Sequence, residues 1–100
     1  MKLAEQLIIL KLRIREKADS IDAEGTVKNV GSSIVKAAVV AIDIDLYSKA
    51  EGNFRVEGDT PILDVKPGET RQFLSGTYKY DTSGNPARVR GYLIYVRRPV

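Results

Sequence analysis

The sequence predicts an all-β fold, an antiparallel β-sandwich of six to seven strands. Apolar residues recur with a period of two through most of the chain, turn signals break the runs at short intervals, and no window of about ten residues has the spacing of a helix. Residues 1–7 come nearest to a helical segment.

The fold is organised around residues 34–47, IVKAAVVAIDIDLY, the longest apolar and β-branched run. Val40, Ile42, Ile44 and Leu46 fall on one face, and Val39, Ala41, Asp43, Asp45 and Tyr47 on the other. A helix would bring Asp43 or Asp45 to the apolar stripe and set β-branched side chains against their χ1 preference, so the run is a strand. Its second face is apolar at Val35, Ala37, Val39 and Ala41 and acidic further on. That predicts a central strand covered on both sides near Val39, with Tyr47 at its exit into solvent.

Ahead of it, Ile8, Leu10, Leu12 and Ile14 alternate with Ile9, Lys11, Arg13 and Arg15 in a half-buried strand. A turn at residues 17–20 leads into a second strand, residues 21–29, where Ala23 and Gly25 are small enough to admit a bulky neighbour or the opposite sheet. With the turn centred between Ala18 and Asp19, Arg15 opposes Asp22, Arg13 opposes Glu24 and Lys11 opposes Thr26. On the other face Ile14, Leu12 and Leu10 oppose Ala23, Gly25 and Val27. The basic stripe of the first strand is then largely neutralised by the second. Residues 30–33 form the turn before the central strand.

Beyond Tyr47, residues 48–53 read as a connection, and Phe54 and Val56 mark a short strand closed by Gly58 and Asp59. Residues 60–63 read as a brief edge strand, because Pro61 cannot donate to a ladder. Pro67 and Gly68 suit the central positions of a type II turn. In residues 70–80 Phe73 has the opposite parity to Leu74, Tyr78 and Tyr80, which predicts a bulge near Ser75 and Gly76. Residues 81–86 are the strongest loop signal. The last strand, residues 87–97, sets Tyr92, Ile94 and Val96 against Leu93 and Tyr95, and Pro99 stops it.

A chain of 100 residues makes one domain, residues 1–100, with a single core. It has no cysteine and no histidine, which excludes disulfides, Cys/His zinc sites, thiol nucleophiles and His-dependent relays. None of the six serines lies in G-x-S-x-G, and no phosphate loop is present. The expectation is a protein that is not an enzyme and carries no cofactor or metal. The net charge of +3 is mild, but from Thr82 onward Arg88, Arg90, Arg97 and Arg98 face no acid in sequence. No stretch approaches the roughly 20 apolar residues of a membrane span. With Met1 as the native start the chain is expected in the cytoplasm; with a leader removed ahead of it, outside the cell or on its surface.

Three segments stand in a distinctive order: Gly25-Thr26-Val27-Lys28-Asn29 before a Gly turn, Ile44-Asp45-Leu46-Tyr47-Ser48 closing the long strand, and Leu63 ahead of Pro67-Gly68-Glu69 with Phe73 four residues on. Together they resemble the FxLYD domain family, with its G-x-V-x-N, F-x-L-Y-D and P-G-E elements. The chain departs from that pattern at Ile44, in place of Phe, and at Ser48, in place of Asp. Ile44 keeps the core role, and Ser48 is expected to weaken the turn that Asp would cap. The resemblance implies an immunoglobulin-like or fibronectin III-like sandwich of bacterial or archaeal origin, usually found in secreted or membrane-anchored proteins. It implies no catalytic activity.

Asp43 and Asp45 project from one strand face about 7 Å apart. As a solvated or arginine-paired strand end they need no cation, and no D-x-D-x-D-G spacing accompanies them. Residues 90–96 open like the RNA-recognition RNP1 motif but keep only its Arg-Gly-Tyr start, in a chain without that fold's helices. The leading expectation is a non-catalytic interaction or accessory domain with a protein partner or self-association, for which Val35, Ala37, Val39 and Ala41, together with Ile9, are the candidate surface. A homodimer would cover them. The alternative is a small basic β protein that binds single-stranded nucleic acid through Arg88, Arg90, Tyr92 and Arg97 of the last strand.

Overall fold

The computed structural model describes residues 6–80 and 84–99. Met1 to Glu5, the body of the marginal helical segment, and Asp81 to Ser83 of the predicted loop lie outside the described residues. Six strands follow one another: β1 (Leu7–Glu16), β2 (Ser20–Asn29), β3 (Val35–Ser48), β4 (Gly52–Val65), β5 (Thr70–Tyr78) and β6 (Arg88–Arg97). They form two three-stranded antiparallel sheets, a first of order β1-β2-β5 and a second of order β4-β3-β6. The predicted all-β sandwich is present, with β3 central in its sheet.

The alternation of β3 builds the core. Val40, Ile42, Ile44 and Leu46 are fully buried and pack against Val27, Ile21 and Ala23 of β2 and Phe73 of β5. The hairpin register also holds through its first half: Arg15 opposes Asp22, Ile14 Ala23, Arg13 Glu24, Leu12 Gly25 and Lys11 Thr26. Glu24 draws both Arg13 (3.8 Å) and Arg15 (3.2 Å), while Lys17 takes Asp22 at 3.1 Å.

Beyond Lys11 the expectation fails. The register shifts between Ile9 and Lys11, so Ile9, not Leu10, opposes Val27. The bulge turns the start of β1 over: Leu7 is buried and Ile9 packs on the core, whereas Ile8 and Leu10 face solvent. Gly25 explains the site of the bulge. A Cβ there would collide with the Lys11 carbonyl and lie 3.0 Å from Cζ of Phe73. Phe73 therefore fills the space over Gly25, and Leu12 remains 47% exposed.

Two further expectations are corrected on the other side of the molecule. Gly58 and Asp59 do not close a strand; β4 runs unbroken from Gly52 to Val65, with Pro61 on the sheet edge as predicted. β5 pairs continuously with β2 from Thr70 to Tyr78, without a bulge at Ser75 and Gly76. Leu74 and Tyr78 simply stand exposed on its outer face. The glycine signals had different causes: a Cβ on Gly58 would strike the Gly76 carbonyl of the opposite sheet, and a Cβ on Gly76 would strike the Asp22 carboxylate of the neighbouring strand.

Two of the three resemblance segments converge at one end. Buried Asn29 donates from Nδ2 to the carbonyls of Ser33 and Val65, both at 2.9 Å, and its Oδ1 accepts from the Gly31 N–H. Its backbone accepts from Gly68 and donates to Glu69. Asn29 thus locks the β2–β3 turn to the β4–β5 turn, where Gly68 (φ 81°) and the Glu69 N–H to Lys66 carbonyl bond complete the predicted type II geometry. At the other end Ser48 is buried, and its Oγ accepts the Glu51 N–H at 3.1 Å, so serine supplies the turn cap it was expected to weaken.

Candidate functional site

The apolar outward set of β3 is not an open patch. Val35 is 4% exposed and belongs to the inner core, because Asp64 (φ 54°) interrupts the ladder opposite Lys36 and turns Val65 and Val35 inward together. Val39 and Ala41 do lie on the outer face, yet both are buried. Their flanking strands cover them: Arg97 beside Val39 reaches Asp59 beside Ala41 at 2.8 Å, bridging the strand between. Ala37 is exposed. Ile9, the fifth member, packs on the core.

The basic set of β6 is divided between two faces. Tyr92 opposes Ile44 and shares the inner side, whereas Arg97 and Arg88 oppose Val39 and Tyr47 on the outer side. Arg90 sits at a register shift beside Asp45 and Leu46 and donates to Asn53 Oδ1 at 3.0 Å. Tyrosine and arginines therefore do not form one stacking and phosphate-binding platform.

Asp45 is held by Arg55 at 2.8 Å and Asp43 accepts from the Tyr95 hydroxyl at 3.0 Å, the paired strand end read from sequence. That hydrogen bond to Asp43, followed by desolvation, raises the Tyr95 pKa above its ordinary value. The same reasoning, with Asp45 as the bonding partner, raises Arg55. Among the described residues no three His, Cys, Asp or Glu side chains are placed to hold a metal, and no helix is long and apolar enough to cross a membrane.

A different surface emerges from the packing. At the β4–β5 edge the sheets are sealed: the Gly58 and Gly76 backbones touch, Thr60 Oγ1 donates to the Leu74 carbonyl at 2.6 Å, and Arg71 donates to the carbonyls of Leu63 and Asp64. At the β1–β6 edge the two strands approach each other over only a short stretch. Leu12 and Tyr92 occupy inward-facing positions, yet 47% and 49% of their surface remains exposed. Leu10 and Leu93 are exposed too, on the outer faces of the same two strands. Sequence alternation placed Leu12 and Tyr92 on inner faces but carried no signal that the strands holding them were sheet edges.

Comparison with protein-family models, with curated proteins and with solved structures found no match to this chain.

Proposed function

We propose that this chain is a non-catalytic β-sandwich interaction domain of the FxLYD, immunoglobulin-like type, and that its β1–β6 edge binds a protein partner. The observation that carries this reading is the exposure of Leu12 and Tyr92 at inward-facing positions, where a domain closed on itself would bury them. The family reading is supported by Asn29, which ties the G-x-V-x-N segment to the Pro-Gly-Glu turn. Nucleic acid is the weaker reading because Arg88 and Arg97 face the opposite way to Tyr92 and Arg97 is engaged by Asp59.

Selection of a displayed random-peptide library on the immobilised chain tests the reading. Enriched peptides are expected to lose binding to the Leu12→Lys and Tyr92→Lys variants, whose folding is checked by circular dichroism. No enrichment, or binding indifferent to both substitutions, would overturn it. A salt titration against a random single-stranded oligonucleotide tests the alternative, for which affinity must fall steeply with salt.

A further inference from the structure

We infer that the occupant of the open edge is an extended segment of another protein, apolar at its centre and acidic at its flanks, that adds to the second sheet as a strand alongside β6. This rests on the reading of the β1–β6 edge as the binding surface and names the chemistry of its partner.

Four strands lie at sheet edges, and three are unsuited to accept another. β4 and β5 lie against each other. β1 is broken by the bulge at Leu10 and carries Lys11, Arg13 and Arg15 beyond it, devices that discourage strand pairing. β6 differs. Among the described residues it pairs with β3 alone, and its register is continuous from Gly91 to Arg97. Every second residue there directs its N–H and C=O away from β3. Residues 91–96, GYLIYV, contain no charge and no proline, so the free edge is a template for a strand. An added strand would extend the second sheet beyond β6, on the side of the molecule where β1 lies. Its inward side chains would then cover Leu12 and Tyr92, and its outward ones would lie beside Leu93, itself 60% exposed.

Charge selects the occupant. Arg88 and Arg90 stand at one end of the uncharged run and Arg97 and Arg98 at the other. Arg97 is held by Asp59, while Arg88, Arg90 and Arg98 have no carboxylate partner among the described residues. A second copy pairing antiparallel about residues 93 and 94 would set Arg90 of one copy opposite Arg97 of the other, and a parallel in-register pairing would set each arginine against itself. Like charges directly opposed destabilise a strand pair, so the flanks work against self-association and favour glutamate or aspartate.

The test uses the full chain, isotope-labelled, and a capped synthetic peptide with a Val-Thr-Val-Thr-Val centre and two glutamates at each end. Its counterpart carries lysines in place of the glutamates. The glutamate peptide is expected to slow hydrogen exchange at alternate amides between Gly91 and Arg97, and the lysine peptide to bind about tenfold more weakly, as a few surface charge pairs allow. Tyr92→Lys should weaken binding of the glutamate peptide while the fold, followed by circular dichroism, is unchanged. Equal affinity for both peptides, protection on β1 or elsewhere instead of β6, or no binding would each overturn the proposal. So would concentration-dependent protection of β6 without peptide, because the occupant would then be a second copy. If library-selected peptides remain sensitive to Tyr92→Lys while the designed peptide fails, the strand-addition chemistry is wrong and the wider reading of the edge stands.

Discussion

Where β4 meets β5, two glycines bring backbone against backbone, and side chains of Thr60 and Arg71 reach across to carbonyls of the opposite sheet. Where β1 faces β6, side chains of ordinary core type stand at inward positions with nearly half their surface in solvent. Both edges belong to the same sandwich and are separated only by the width of its sheets. The difference lies in residue size. The lack of a side chain on Gly58 lets the sheets close on one side, whereas on the other the bulge at Leu10 turns Leu7 and Ile9 inward and Leu12 beyond it stays half exposed.

The sharpest way to break this contrast is at Phe73, which occupies the space over Gly25 that Leu12 would otherwise have to fill. Phe73→Ala is expected to cost about 3–5 kcal/mol in urea denaturation, since a ring only 5% exposed leaves a cavity behind it. Gly58→Val comes next. Its side chain meets the Gly76 backbone, which cannot move aside as a flexible side chain would, so a loss of about 1–3 kcal/mol is expected. A value near zero would mean that the sealed edge is loosely packed after all.

Smaller substitutions sharpen the comparison. On the sealed side Ser75 is 2% exposed and its Oγ has no hydrogen-bond partner among the described residues, so Ser75→Ala should raise stability by about 1 kcal/mol. On the open side Leu12→Ala should cost about 1 kcal/mol or less, because the side chain is only half removed from water. A loss for Leu12→Ala as large as that for Phe73→Ala would show the β1–β6 edge to be closed in solution.

What the sequence made legible follows from periodicity. A period of two identifies strands and assigns faces, so β3, its buried set, the type II turn at Pro67 and Gly68, and the hairpin register from Arg15 to Lys11 could all be read from it. Periodicity is blind to which strands meet across the sandwich. Gly58 and Gly76 were misread as a strand end and a bulge, since a glycine that makes room for a neighbouring backbone or side chain looks the same in sequence as one that bends its own chain. Part of the candidate surface on β3 is covered for a related reason: Arg97 and Asp59, far apart in sequence, pair beside the buried Val39 and Ala41. Tyr92 was singled out, but with arginines that point the other way: Arg97 does so by ordinary alternation, and Arg88 because the shift at Arg90 breaks the parity of β6.

The smallest expected effects are those of pH, and they should differ between the two sides. Glu69, in the turn that joins β4 to β5, accepts the Lys66 backbone N–H at 2.9 Å and is held by the Arg71 guanidinium, which also staples the sealed edge. The Lys66 bond first, and Arg71 second, lower its pKa. A carboxylate that releases its proton more readily when folded stabilises the fold fully above its unfolded value, about 4.3, and this contribution is lost as the pH falls through the lower folded value. Tyr95 on β6 has the opposite sign. Its pKa is raised by the bond to Asp43, so its contribution is complete below the unfolded value of about 10 and is lost as the pH rises through the folded one. Urea midpoints of the parent and Glu69→Gln should therefore converge toward acid pH, and those of the parent and Tyr95→Phe toward alkaline pH. Convergence of the Glu69 pair at alkaline pH instead, or a Glu69→Gln difference constant down to about pH 2, would mean that the carboxylate does not hold Arg71 in place. The staple on the β4–β5 edge would then rest on the carbonyls of Leu63 and Asp64 alone.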